Sequence, residues 1–196
     1  MIFDKQFWSV KCNKKSVNFP LTLILQFGNA DNHKLTNFFL NHIDVIAKFL
    51  NRVIVVVGHL NKDVEQIKNT VIKKRGELNI ELYVDTKNIK KLYEVADLAI
   101  TSAGMAMWEM ALFCIPQFVV SSSDRERVYT NYLSELNYII NLGDGGELKS
   151  SDDIKNKIIP LIEGSIEDNL NTINFCKSIN PKGIHAIVKS FKELLE

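Results

Sequence analysis

A Rossmann-like, doubly wound parallel α/β domain is the fold class this sequence predicts, and three observations carry it. Leu21-Thr22-Leu23-Ile24-Leu25-Gln26-Phe27 is a nearly continuous apolar run, as a central strand covered on both faces requires. Along the chain, about six such strand-length runs alternate with stretches whose apolar residues recur at three- and four-residue steps. Two of the runs end in turns of small residues, Gly28-Asn29-Ala30-Asp31 and Ser102-Ala103-Gly104. Parallel strands joined by helices form right-handed crossovers, which places helices on both faces of the sheet.

The elements follow in order. Residues 1–20 mix Phe3, Phe7 and Trp8 with Lys11, Lys14 and Lys15, show neither period, and end at Pro20. They read as a tail or interdomain linker whose aromatics pack back on the domain or face a partner. Strand one, 21–27, breaks at Gly28. Leu35, Phe38, Phe39, Ile43, Ile46 and Ala47 give a helix stripe, and Arg52 to Val57 a second strand closed by Gly58. Val64, Ile67, Val71 and Ile72 mark the next helix, ended by Gly76. Ile80 to Val84 is the third strand and Ile89 to Val95 a short helix. Leu98 to Ile100 is the fourth strand, followed by a helix from Met105 that must stop near Pro116. Gln117 to Val120 is the fifth strand, Arg125 to Leu136 a helix, and Tyr138-Ile139-Ile140 a short sixth strand. Beyond the glycine-rich 142–146 the pattern is helical, over 151–162, 166–178 and 184–195.

A strand order of 3-2-1-4-5-6 makes the first and fourth strands neighbours at the topological switch point, and the crevice beyond their carboxyl ends becomes the ligand site. Gly28 and Gly104 then face one crevice. The helix that starts after Gly104 offers backbone N–H groups at its positive end, where an anion docks. Glu109 is the one charge in the apolar stretch 105–113. A carboxylate there needs a partner. Two fit: a basic side chain of the protein, or ligand hydroxyls such as a ribose diol.

Composition narrows the partners. The 196 residues suit one substantial core, and 24 basic against 23 acidic residues give a net charge of +1, with no electrostatic footprint for nucleic acid. No run approaches the length of a membrane span, which predicts no direct membrane insertion. Cys12, Cys114 and Cys176 are odd in number and in no metal-type spacing, which predicts packing roles, no disulfide and a reducing, cytoplasmic setting. His33, His42, His59 and His185 show no metal-type pairing, and neither a Walker loop, a serine-hydrolase elbow nor a dinucleotide fingerprint occurs. The reading therefore assigns no metal ligand, no cofactor and no catalytic residue. His33, beside the first glycine turn, is either a phosphate contact or a solvated helix-start residue. In Ser121-Ser122-Ser123-Asp124-Arg125-Glu126-Arg127, the hydroxyls and Asp124 suit helix capping, and the arginines either meet a diphosphate or pair among themselves.

Phe27-Gly28-Asn29-Ala30-Asp31, the Ala-Asp-Leu-Ala-Ile strand, Ser102-Ala103-Gly104 through Trp108-Glu109, Ile115-Pro116 and Pro181-Lys182-Gly183 together resemble the C-terminal half of a glycosyltransferase-like family. Its members include the UDP-sugar hydrolase of pseudaminic acid biosynthesis and spore-coat polysaccharide proteins. More distantly, the chain is similar to the donor-binding half of the N-acetylglucosaminyltransferase that makes peptidoglycan lipid precursors. The resemblance covers about residues 21–196 and implies a nucleotide-sugar-binding domain of glycosyltransferase B-type fold. It implies that Gly28 and Asn29 approach the diphosphate, that Ser102, Ala103, Gly104, Met105, Ala106 and Met107 line the uridine and phosphate site, and that Glu109 holds the ribose hydroxyls. Arg125 and Glu126 fall where the family has an Asn-Gln pair; Asn29 replaces a glycine, and Met105, Ala106 and Met107 replace small or hydroxyl residues. The family's catalytic histidine lies in an N-terminal Rossmann-like domain with no counterpart in this sequence. The implied ligand is UDP or a UDP-sugar, bound by one half of a hydrolase. The alternatives are the donor-binding subunit of a split glycosyltransferase and a degenerate interaction domain.

Overall fold

The computed structural model describes residues 1–13, 19–164 and 170–193. Six parallel strands, β1 (Leu21–Gln26), β2 (Leu50–Val57), β3 (Ile80–Val84), β4 (Leu98–Ser102), β5 (Gln117–Ser121) and β6 (Ile140–Asp144), form one sheet in the order β3-β2-β1-β4-β5-β6. β1 pairs with β2 from Leu21↔Leu50 to Gln26↔Val56 and with β4 from Leu23↔Leu98 to Gln26↔Thr101. The first five residues of β1 are buried because both of its faces are covered, which is why it lacks the alternation of a half-exposed strand.

On one face, Leu21, Leu23, Leu25 and Phe27 pack with α1 (Leu35–His42), α2 (Val64–Lys74) and α6 (Ser151–Glu163). On the other, Ile24, Ile54 and Val56 meet α3 (Ile89–Val95) and α4 (Met105–Ala111), while Val119 meets α5 (Asp124–Glu135) and α7 (Thr172–Ser178). α8 (Gly183–Glu193) follows. The doubly wound topology is thus the one the alternation of patterns predicts. No helix of the described residues is long and apolar enough to cross a membrane.

Several boundaries differ from the sequence reading. The first helix is α-helical only to His42. The β-branched run Ile43, Val45 and Ile46 continues it as a 3-10 segment, Ile43–Phe49, with Ile43 and Ile46 still in the core. The sixth strand is Ile140–Asp144 rather than 138–140. Gly143 takes φ +99° at a register shift between Val119 and Val120 of β5, so this glycine, read as lying beyond the strand, belongs to its bulge. The predicted helix 166–178 is described only from Thr172, with 165–169 outside the described residues. The last helix runs Gly183–Glu193, with 194–196 likewise outside.

Residues 1–13 pack on the domain. Phe3 and Phe7 are buried against Leu92, Tyr93 and Phe113, and the Trp8 ring lies 4.8 Å from that of His185 on α8. The segment straps α3 and α4 to the C-terminal helices.

Across the sheet edge, Arg52 of β2 donates to both carboxylate oxygens of Glu81 on β3, at 2.7 and 2.8 Å, and the Tyr83 hydroxyl adds a third bond at 2.6 Å. Chiefly the Arg52 contact, then that of Tyr83, holds the Glu81 carboxyl below its ordinary value of 4.5. A depressed carboxyl contributes stability that is complete above its unfolded value and is lost as pH falls through the folded one. Both side chains are about a third exposed, so the contribution is about 1 kcal/mol or less. Glu81→Gln is expected to lower Tm slightly at neutral pH and to converge on the parent as pH falls through the depressed folded value of Glu81, a convergence checked by thermal melts from neutral to acid pH.

Candidate functional site

Two loops built for close approach make the crevice at the carboxyl ends of the strands. Gly28, at the end of β1, sits at φ +73°, a left-handed conformation that glycine adopts without penalty. Asn29, next to it, lies directly over Gly58 at the end of β2. A Cβ on Gly58 would stand 2.4 Å from the Asn29 Cα and 2.6 Å from its carbonyl oxygen, so only glycine lets the two loops meet. The resulting crevice, about 360 Å³, is lined by Gln26, Gly28 and Asn29 from β1, by the ends of β2 and β3, and by Met105, Ala106 and Glu109 of α4. That volume lies at the lower end of the range for small-molecule sites.

The two helix starts beside it differ electrostatically. At α1, the Asp31 carboxylate accepts hydrogen bonds from the N–H groups of Leu35 at 2.8 Å and Thr36 at 2.9 Å. That helix end is already occupied by a negative charge. α4 has Gly104 as its N-cap and no side-chain cap. The Ser102 hydroxyl stands between the two glycine turns, with ideal Cβ positions on Gly28 and Gly104 falling 3.8 and 3.9 Å from its oxygen. Among the described residues this hydroxyl has no hydrogen-bond partner, so it is free to donate to an incoming acceptor.

Glu109 lies one turn into α4, half-buried and on the crevice side. Its Oε2 accepts from the hydroxyl of the fully buried Tyr93 at 3.1 Å, and the same hydroxyl lies 2.9 Å from Gln26 Oε1. One phenolic proton therefore has two acceptors to serve. Burial pushes the Glu109 carboxyl above its ordinary value of 4.5, against the lowering effect of the Tyr93 bond, and the nearby Asp4 charge adds to the rise. Among the described residues no lysine or arginine pairs with it. Of the two partners the sequence allows, the salt bridge is the one these residues do not make.

The predicted site residues divide by helix geometry and by hydrogen bonding. Gly28, Asn29, Met105, Ala106 and Glu109 line the crevice, and Ser102 and Gly104 adjoin it at the Gly28 corner. Met107 and Ala103 do not present side chains to it. Met107 lies on the opposite side of α4 from Met105 and Glu109 and is buried with Val119 and Phe175. Ala103 is likewise buried; its N–H donates to the Val120 carbonyl, and its own carbonyl accepts from the Tyr129 hydroxyl.

Arg125 and Glu126 stand away from the crevice lining, at the start of α5. The Glu126 carboxylate accepts from the Ser122 N–H at 2.7 Å, and Ser123 Oγ accepts from the Glu126 N–H at 3.3 Å, so this carboxylate is engaged in capping. Arg127 pairs with Asp124 at 2.7 Å, and Arg125 is exposed. His33 Nε2 lies 3.1 Å from the Ser122 carbonyl oxygen, and its side chain packs beside Gly145, bridging the β1 loop to the loops after β5 and β6.

The sequence reading missed the contributions of β2 and β3. Val56, Val57, Gly58, Asp85, Thr86 and Ile89 complete the crevice. Gly58 directly after an apolar strand was the available signal, because the order 3-2-1-4 puts the ends of β2 and β1 side by side.

No protein-family model matches the chain. In sequence it is 27% identical over 144 residues to the uncharacterized protein MJ1062 of Methanocaldococcus jannaschii, an alignment spanning 69% of this chain and 29% of the archaeal protein. In structure it is similar to MurG of Acinetobacter baumannii, with a TM-score of 0.73 at 14% identity over 91% of this chain and 51% of that one. It is also similar to the pneumococcal O-GlcNAc transferase GtfA in complex with UDP and GlcNAc, with a TM-score of 0.64 at 13% identity over 95% of this chain and 38% of that one. The chain spans about half, or less, of the length of each of these three proteins. The fold of the described residues is that of one Rossmann-like half of a B-type glycosyltransferase.

Proposed function

We propose that this chain is the nucleotide-sugar-binding half of a two-domain UDP-sugar enzyme, with residues 21–196 as the binding domain and the chemistry supplied by a separate Rossmann-like domain or subunit. Within that class the motifs favour a UDP-sugar hydrolase of pseudaminic acid-like or surface-polysaccharide biosynthesis. The observation that carries the reading is the Glu109 carboxylate, facing an open crevice that it shares with Gly28 and Asn29 and paired with no basic side chain among the described residues. In this reading the ribose hydroxyls donate to Glu109. The diphosphate lies against the Gly28-Asn29 backbone, the Ser102 hydroxyl and the uncapped start of α4. Val56 and Ile89 give the base an apolar wall. GtfA, whose crystal structure contains UDP, supports the choice of nucleotide.

The crevice has one wall. Leu60, Val84 and Met105, just past β2, at the end of β3 and at the start of α4, are exposed apolar residues at the carboxyl end of the strands, which suits a second protein surface there. They also keep a second reading open, in which the partner is a separate acceptor subunit of a split glycosyltransferase. Copurification with the products of neighbouring genes separates the two. Met105, exposed at the crevice in place of a small residue, favours the third reading, a degenerate interaction domain.

Calorimetry or ligand-observed NMR with UDP tests the common core. With one wall present, the expected dissociation constant is on the order of 0.1–1 mM. The isolated chain is expected to turn over no UDP-sugar, because in this reading the positioned base belongs to the separate domain and losing one costs roughly 10²–10⁴-fold. Absence of UDP binding at several times that concentration would defeat the reading in favour of the interaction domain. Turnover abolished by His33→Ala would instead make the chain an enzyme in its own right.

A further inference from the structure

All three cysteines of the chain meet at one point, on the end of the sheet opposite the crevice. They come from three separate places: Cys12 from the strap formed by residues 1–13, Cys114 from the turn between α4 and β5, and Cys176 from α7. Their distance along the sequence hid this meeting in space. Cys12 Sγ and Cys114 Sγ are 3.3 Å apart, and all three sulfurs lie within 4.8 Å of one another.

We propose that Cys12, Cys114 and Cys176 form a structural site for one thiophilic divalent cation, Zn²⁺, which fastens the strap to the C-terminal helices. The spacing fits. Three sulfurs about 2.3 Å from a shared zinc ion stand roughly 3.8–4.0 Å apart, within the range that the cluster already spans. The chemistry fits as well, because three thiolates are a soft donor set suited to zinc, and a divalent ion leaves only one net negative charge among apolar neighbours. Access is available through Cys12, which is partly exposed, while Cys114 and Cys176 are buried. Water on that open side supplies a fourth ligand. Cys114 carries a second sign of use, since it takes φ +55° in the turn after a helix, where glycine or asparagine is the usual residue. A disulfide would join two of the sulfurs and strand the third, and it would need an oxidant; metal binding engages all three and needs none.

Without the ion, two of the thiols donate to backbone carbonyls. Cys12 donates toward the Ile173 carbonyl at 3.6 Å and Cys176 toward the Leu112 carbonyl at 3.4 Å. Burial raises the Cys12 thiol, and the neighbouring Cys114 sulfur together with burial raises Cys176 strongly, opposed in part by the charge on Lys177. Binding is therefore an exchange: three S–H bonds break, three Zn–S bonds form, and three protons go to solvent for each ion bound. Affinity falls as pH falls.

The test uses the full chain, reduced and handled without oxygen, titrated with Zn²⁺ against a chromophoric chelator and separately with Co²⁺ as a spectroscopic probe. The expected result is one ion per chain, about three protons released, and a thiolate-to-cobalt charge-transfer band. Saturating zinc is expected to raise Tm by about 5–10 °C, and excess chelator to reverse the rise. Cys12→Ser, at a partly exposed position outside the helices and strands, is expected to fold normally and to bind zinc at least about 100-fold more weakly. Cys114→Ser and Cys176→Ser should do the same. Three outcomes overturn the proposal: no charge-transfer band with all thiols reduced, zinc affinity unchanged in Cys12→Ser, or a Cys12–Cys114 disulfide in protein isolated with its free thiols blocked at lysis. None of these bears on UDP binding at the other end of the sheet.

Discussion

Phe7→Ala is expected to lower stability by about 3–5 kcal/mol and Tm by roughly 10 °C. Phe7 is 1% exposed although it belongs to a segment with no periodic pattern. Its ring lies 6.2 Å from that of Tyr93 in a near-parallel arrangement and 6.2 Å, edge-on, from that of Phe113. Truncation removes the apolar area of a large aromatic and both ring contacts, and it leaves a cavity bounded by rigid elements, α3 and the turn after α4, that close in poorly. The loss also reaches the crevice, because the Tyr93 ring that Phe7 supports carries the hydroxyl bonded to Glu109. Weaker UDP binding should therefore accompany the lower Tm. Thermal unfolding followed by circular dichroism, with a UDP titration of the same sample, checks both; a Tm within about 2 °C of the parent would mean that residues 1–13 do not dock as described.

The sheet was legible in the sequence because parallel strands buried on both faces leave a strong local signature. Leu21–Phe27, Arg52–Val57 and Gln117–Val120 are largely apolar runs of strand length, and Gly28 and Gly58 end the first two. β6 was less legible: an edge strand with a bulge at Gly143 and the polar Asn141 in its middle reads locally as a turn. The strap was illegible for another reason, since Phe3 and Phe7 are held by residues some 85 to 110 positions away and follow no helix or strand period. At the site, Gly28, Ser102 and Gly104 could be read because backbone geometry demands small residues there. What Glu109 touches could not be read. Tyr93 sits on a different helix, and only the fold brings its hydroxyl to that carboxylate. The cysteine cluster has the same character, for its three members come from three elements whose meeting depends on the crossover connections.

Glu109→Gln is expected to weaken UDP binding by about 30-fold, near 2 kcal/mol, while leaving Tm unchanged or slightly raised. The amide keeps the shape of the side chain and one acceptor oxygen but loses the charge that strengthens hydrogen bonds from ribose hydroxyls. Stability responds in the opposite sense from a salt-bridge partner. Burial raises the Glu109 carboxyl in the folded chain, so between its ordinary value and the raised one the folded state holds a proton that the unfolded state has released. Acid therefore favours folding at this group. As pH rises through the folded value, the chain must instead bury an ionised carboxylate shared with Gln26 over one Tyr93 proton. Removing the charge relieves that cost at neutral pH. A structural ion-pair partner would behave otherwise, because breaking a buried pair costs about 3–5 kcal/mol. The pH profile adds a check: UDP affinity of the parent should decline as pH falls through the raised carboxyl value, more steeply than that of Glu109→Gln, whose remaining slope reports protonation of the ligand's terminal phosphate near pH 6. Ligand-observed NMR is sensitive enough for the weakened variant. A large fall in Tm with UDP affinity unchanged would assign Glu109 to the scaffold and leave the crevice without its ribose ligand.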